Sequence, residues 1–241
     1  MTKEYTVFGL AARACGPNVS SFVHITMSDM AILGLHYNVV PLTFPVIRTR
    51  LAAETGNDKV TVPTLVTDEG YVTDSWAIAQ WLEAHHGSKD RTLFPRGVER
   101  TTDEWMQTHL APAMRPLFRP GFFAMQDGAS RNYFLASKYN FDEAALARDL
   151  ANIAGPESAK IAGNVRAVLR EFEARLGERE GVFVNGDKPS HADSAVFGWY
   201  LSGQVCPEVN YDAWMSNENP KVRQWVRAME KATSIVPGYS N

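Results

Sequence analysis

The sequence predicts a small α/β domain followed by an all-helical domain. Three observations carry this. Strand and helix patterns alternate over the first 86 residues; a polar stretch punctuated by Gly and Pro follows; and beyond it the strand pattern is almost gone. At 241 residues the chain has ample material for two cores.

The elements follow in order. Residues 5–10 (YTVFGL) are rich in β-branched and aromatic side chains and read as a first strand. Residues 18–33 read as a helix with Phe22, Ile25, Met30 and Leu33 as its apolar positions, and Gly34 stops it. Residues 36–44 read as a second strand and 46–53 as a short helix. Residues 62–66 and 71–73 flank the turn signal Thr67-Asp68-Glu69-Gly70 and form a hairpin. Residues 75–84 (SWAIAQWLEA) make a helix with Ile78, Trp81 and Leu82 on one side. Residues 87–97 (GSKDRTLFPRG) form a linker. Helical spacing then recurs over 98–125, 142–150, 157–176, 191–205 and 221–232. The expected domains are 1–86 and 98–241, without an internal repeat.

Composition narrows the function classes. A net charge of −3, with basic residues scattered rather than striped, gives no case for nucleic acid or an anionic membrane. No run of eighteen apolar residues is present to span a bilayer, and the N-terminus lacks a signal-peptide pattern. The two cysteines, Cys15 and Cys206, are too few and too far apart for a disulfide framework or a zinc site. His85 and His86 are adjacent and cannot share a helix face around a metal. A cytoplasmic protein without a metal is the default expectation.

Two motifs carry chemistry. Val62-Pro63 directly precedes a strand, and X-Pro bonds are where cis peptides occur; a cis bond would leave the Val62 backbone N–H and C=O free for an extended peptide. Thr73-Asp74-Ser75-Trp76 lies at a strand-to-helix junction. There Ser75 can cap the helix, the helix N-terminus attracts a carboxylate, and Asp74 can hold an ammonium. Each motif alone is as well explained by an ordinary strand start and an ordinary helix cap.

Taken together, twelve residues apart across a hairpin, Pro63 and Ser75 resemble the glutathione-binding half of the glutathione transferases. The helical half agrees: 185–193 (NGDKPSHAD) resembles the family's G-x-x-x-[ST]-x-A-D segment, in which Ser190 and Asp193 would form a capping box around a buried helix. The resemblance covers nearly the whole chain. It implies a thioredoxin-like domain, a helical domain carrying a hydrophobic pocket, glutathione as co-substrate, a hydrophobic small molecule as second substrate, and a homodimer. It assigns glutathione contacts to Val62, Pro63, Asp74 and Ser75. Within the family, 72–83 (VTDSWAIAQWLE), with 112–119 and 133–141, is similar to the glutathione-dependent β-etherases of lignin-degrading bacteria and their fungal relatives. That likeness implies cleavage of β-aryl ethers.

The sulfur of glutathione needs a hydroxyl donor and a helix N-terminus to ionise at neutral pH. Counting back from Gly34 by the group's spacing puts Ser20-Ser21 where the group has Ser-Pro, and His24 where it has Trp. In a second register Gly16-Pro17-Asn18-Val19 opens the helix and Cys15 approaches the sulfur, which would support a mixed disulfide and thiol transfer instead. The Ser20 register is preferred, and both stay open on the sequence. Lys59 is a candidate for the glycine carboxylate of glutathione. His24, Phe118, Arg119 and Phe122, with Trp105, Phe123 and Met125, are candidates for the pocket wall. A third reading is a non-catalytic binder of aromatic ligands.

Overall fold

The computed structural model describes residues 4–97 and 100–236. The start of the expected helical pattern at Val98 lies outside the described residues, as do residues 1–3 and 237–241 at the ends of the two expected domains.

The first part of the chain is β1 (Glu4–Leu10), α1 (Ser21–Leu33), β2 (His36–Leu42), a continuous α2 (Phe44–Val46, Ile47–Leu51, Ala52–Thr55), β3 (Thr64–Thr67), β4 (Gly70–Thr73) and α3 (Ser75–His86). The strands form one mixed sheet in the order β2-β1-β3-β4, with β1 and β2 parallel and the other pairs antiparallel. This is the expected thioredoxin-like arrangement. The remainder is helical: a long α4 (Thr101–Trp105, Met106–Leu110, Ala111–Ala124), α5 (Gly128–Tyr139), α6 (Glu143–Ala154), α7 (Glu157–Arg175), α8 (His191–Ser202), α9 (Pro207–Trp214) and α10 (Pro220–Thr233).

The main differences from the sequence reading are two boundaries and two unread helices, each with a local reason. Helix α1 opens at Ser21 rather than at 18, because 18–20 is extended and tied to the end of β1. There the Val19 N–H donates to Leu10 O at 2.8 Å, and Asn18 Oδ1 accepts from the Leu10 N–H at 3.1 Å. Strand β2 stops at Leu42, since Thr43 becomes the N-cap of α2 and Pro45 occupies its first turn, where its missing N–H has no cost. Two helices were not legible. Helix α5 starts at a glycine, and only the Asp127 side chain, accepting from the Ser130 N–H at 3.0 Å, marks its beginning. Helix α9 is eight residues long and opens on Pro207, too short for a helical period to stand out after the stretch read to 205.

Alternation along β1 sorts side chains between two cores. Tyr5 and Val7 pack with Val23, Met30 and Leu33 of α1 and Ile78 and Leu82 of α3. Phe8 and Leu10 point to the other face, against Ile47 and Leu51 of α2 and Phe122 and Phe134 of α4 and α5. The helical domain has its own core around Phe172, Phe197, Trp214 and Trp225, and Ile25 of α1 inserts into it. Helix α1 is therefore shared by both domains.

The α1–α8 contact depends on one glycine. A Cβ on Gly198 would stand 2.5 Å from the Ser21 carbonyl oxygen and 2.6 Å from Ile25 Cγ1. Neither backbone nor packed side chain yields cheaply. Gly198→Ala is expected to lower stability by about 2 kcal/mol, read as a drop in the urea midpoint at unchanged slope.

The same junction holds a buried charge network. His191 at the start of α8 hydrogen-bonds Asp29 of α1 through Nδ1 at 2.8 Å and Asp103 of α4 through Nε2 at 3.3 Å, and all three residues are buried. Burial by itself would push the imidazole pKa down, but the two carboxylates outweigh it and hold it at about 10. The folded value lies above the unfolded one near 6.5. The stabilisation is therefore fully present below pH 6.5 and is lost as pH rises toward 10. Stability is expected to fall by roughly 2–3 kcal/mol between pH 7 and pH 10. Urea titrations across that range check it, and His191→Gln should flatten the pH dependence.

Candidate functional site

The site is built where two helices begin. Ser20 is the N-cap of α1, extended at φ −74° and ψ 126°, and its hydroxyl oxygen accepts from the Val23 N–H at 3.4 Å. That leaves the hydroxyl proton free to be donated. Ser21 follows as the first helical residue, and Gly34 closes α1 at φ 71°. At the second helix the cap is Asp74, not Ser75 as the sequence reading had it. Asp74 sits at φ 86° and ψ 131°, and its Oδ1 accepts from the N–H groups of Trp76 and Ala77 at 3.0 and 3.1 Å. Ser75 is instead the first residue of α3 and is buried.

The hairpin links this cap to the proline. The Val62-Pro63 peptide is cis. The Asp74 N–H donates to Pro63 O at 3.3 Å, and the Thr64 and Thr73 hydroxyls meet at 3.1 Å across the hairpin. Among the described residues, no hydrogen bond uses the Val62 N–H or C=O. Ser20, Ser21, Val62, Pro63, Asp74 and Ser75 line a single hollow of about 390 Å³. A second hollow of about 500 Å³ continues from it, sharing Leu10, Phe22, Phe44, Asp74, Phe118, Lys138 and Trp199 and adding Arg115, Arg119 and Phe122.

Two domain families match the sequence along this architecture: the glutathione S-transferase N-terminal domain over residues 19–85 and the glutathione S-transferase C-terminal domain over residues 98–234. The chain belongs to the glutathione S-transferase family. Solved members agree in fold. A glutathione S-transferase of Ceriporiopsis subvermispora, crystallised with glutathione, superposes with a TM-score of 0.76 at 18% identity, over 97% of this chain and 98% of its own. Glutathione transferase GSTFuA3 from Phanerochaete chrysosporium gives 0.78 at 18% identity, over 98% and 99%. A bacterial maleyl pyruvate isomerase of the Zeta class gives 0.61 at 17% identity, over 95% and 94%. No curated protein matches the sequence.

In this member of the family, three of the candidates lie elsewhere. Cys15 is exposed at φ 57° in the loop before α1 and lines neither hollow. Lys59 is exposed, with its backbone N–H on Asn57 Oδ1 at 3.0 Å, and also lines neither. His24 turns away to Ser202, Nδ1 to Oγ at 3.0 Å, and burial lowers its pKa to about 4, so the ring is neutral near pH 7. Of the further wall candidates, Trp105 belongs to the helical core, and Phe123 and Met125 pack beside the sheet.

Several wall residues carried no sequence signal, among them Phe44, Arg48, Lys138 and Trp199. Arg48 projects from α2 and donates to Val60 O at 2.7 Å and to the Tyr133 hydroxyl at 3.2 Å, which ties α2 to α5 over the hollow. No local pattern distinguishes it from the neighbouring Arg50, which pairs with Glu54 on the outer surface at 2.7 Å. Among the described residues no group of three or more His, Cys, Asp or Glu side chains is placed to hold a metal, and no helix is long and apolar enough to cross a membrane.

Proposed function

We propose that the first hollow binds glutathione and that the Ser20–Ser21 end of α1 activates its sulfur for attack on a hydrophobic aromatic electrophile in the second. The observation that carries this reading is the convergence of two helix N-termini and one unpartnered backbone segment on the same hollow. The α1 terminus presents a hydroxyl donor and a positive dipole end, which together favour a thiolate. The α3 terminus, with Ser75, suits the carboxylate of a γ-glutamyl group, and Asp74 Oδ2 suits its ammonium. The Val62 N–H and C=O suit the cysteinyl backbone in the manner of an added strand. Arg48 takes the role expected of Lys59 toward the glycine carboxylate. The relative from Ceriporiopsis subvermispora, whose crystals contain glutathione, supports the choice of ligand.

In the reaction the thiolate sulfur bonds to an electrophilic carbon, the bond from that carbon to its leaving group breaks, and the electron pair departs with the leaving group. For a β-aryl ether the products are a glutathione thioether and a phenolate, which takes its proton from water. The protein contributes position and thiolate stabilisation. The domains of this reading are 1–86 and 98–241, joined by 87–97.

Calorimetric titration with glutathione tests the first half. Binding is expected, weakened about tenfold by Ser75→Ala, and absence of heat at millimolar glutathione would reject the site. Mass spectrometry of glutathione incubated with a β-aryl ether ketone tests the second, through the appearance of the thioether and the free phenol together.

A further inference from the structure

The second hollow is not simply apolar. Its wall from α4 is Ala111, Arg115, Phe118, Arg119 and Phe122, which lie at helical spacing on one face and set two guanidiniums among the rings. Opposite, α5 contributes Phe134 and, four residues on, Lys138. Phe118 meets Trp199 edge-on at 6.4 Å and Phe22 meets Trp199 at 6.1 Å, making an aromatic box beside these cations. None of Arg115, Arg119 and Lys138 forms an ion pair among the described residues. Asp149, on the neighbouring α6, accepts from the Tyr139 hydroxyl at 2.9 Å. Asp74 is the one acid in the lining, and its Oδ1 is engaged by two backbone N–H groups.

Three unpaired cations around an aromatic box are an arrangement for an aromatic anion. A chain of net charge −3 has no general reason to gather them in its apolar hollow. We propose that the second substrate is an aromatic compound bearing a negative group, a carboxylate or phenolate, with its ring between Phe22, Phe118 and Trp199 and its charge toward Arg115, Arg119 and Lys138. This rests on the reading of the second hollow as the acceptor site. The guanidiniums suit a planar carboxylate, to which each can give two parallel hydrogen bonds; Arg119 is half-buried, while Arg115 and Lys138 stand exposed at the rim.

The test compares 2-naphthoate with 2-naphthamide, matched in shape and differing in charge, by quenching of tryptophan fluorescence with S-methylglutathione present at saturation. The naphthoate is expected to bind about tenfold more tightly, the preference shrinking with added salt and in R119Q, and vanishing in R115Q/R119Q/K138Q. Equal affinity for the two compounds, or a preference that survives the triple substitution in a protein with unchanged circular dichroism, would overturn the proposal. The glutathione reading is scored separately by S-methylglutathione itself. If that ligand fails to bind while the charge preference holds, the first hollow is misread and the second is not.

Discussion

Ser20→Ala is expected to lower kcat/KM for conjugation of 1-chloro-2,4-dinitrobenzene by about a hundredfold, with glutathione affinity little changed. The hydroxyl oxygen of Ser20 accepts from the Val23 N–H, and in the proposed reading its proton goes to the sulfur. Removing it leaves the helix terminus as the sole source of thiolate stabilisation. The pH dependence reads the same event. A stabilised thiolate has a depressed pKa, so the native enzyme should stay active well below pH 8. In the variant the thiol should titrate near its free value of about 8.5, and the loss should be greatest on the acid side. Loss of the cap contributes about 1 kcal/mol of instability, which a melting curve separates from the kinetic effect. Cys15→Ala is the informative control. Exposed and outside both hollows, Cys15 should be dispensable. A collapse of activity in Cys15→Ala, together with a glutathione adduct on Cys15, would transfer the chemistry to that residue.

Asp193→Ala is expected to cost about 4 kcal/mol of stability, the largest loss from any single substitution considered. The carboxylate is fully buried and accepts four hydrogen bonds. Oδ2 takes the Ser190 N–H and hydroxyl, both at 2.9 Å, and Oδ1 takes the Val184 N–H and Trp225 Nε1, both at 2.9 Å. It thus closes the capping box of α8 while tying that helix to the preceding loop and to α10. Alanine leaves four donors without partners in a core that water does not reach. The outcome is read as a reduced urea midpoint and a low soluble yield. Activity per folded molecule should change little, because Asp193 lines neither hollow.

Much of this architecture was legible because it is written in local chemistry. Gly34 at φ 71° ends α1 where a left-handed cap was expected. The Thr67–Gly70 turn closes the hairpin, and the Ser190–Asp193 box opens α8. Two elements of the proposed glutathione site were equally visible, the Val62-Pro63 pair and the Asp74–Ser75 junction, while the Ser20–Ser21 start stayed open against a second register. Each is a backbone event, a cap or a turn, and such events are specified by the few residues that make them. Their roles at the junction needed coordinates. Asp74 rather than Ser75 caps α3, because a positive φ at 74 swings its carboxylate back over the first turn.

By itself, then, the sequence determined the order of elements in the α/β part, the division into an α/β and a helical part, and Ser75 as the first residue of α3. Only the tertiary structure decided that Arg48, Lys138 and Trp199 join them, that Cys15, Lys59 and His24 do not, and that Arg115 and Arg119 flank an aromatic box. The physical reason is distance along the chain. A cap is settled within four residues, whereas a pocket wall is settled by how helices far apart in the chain pack. That packing turns on contacts such as Gly198 against Ser21, which no local pattern announces.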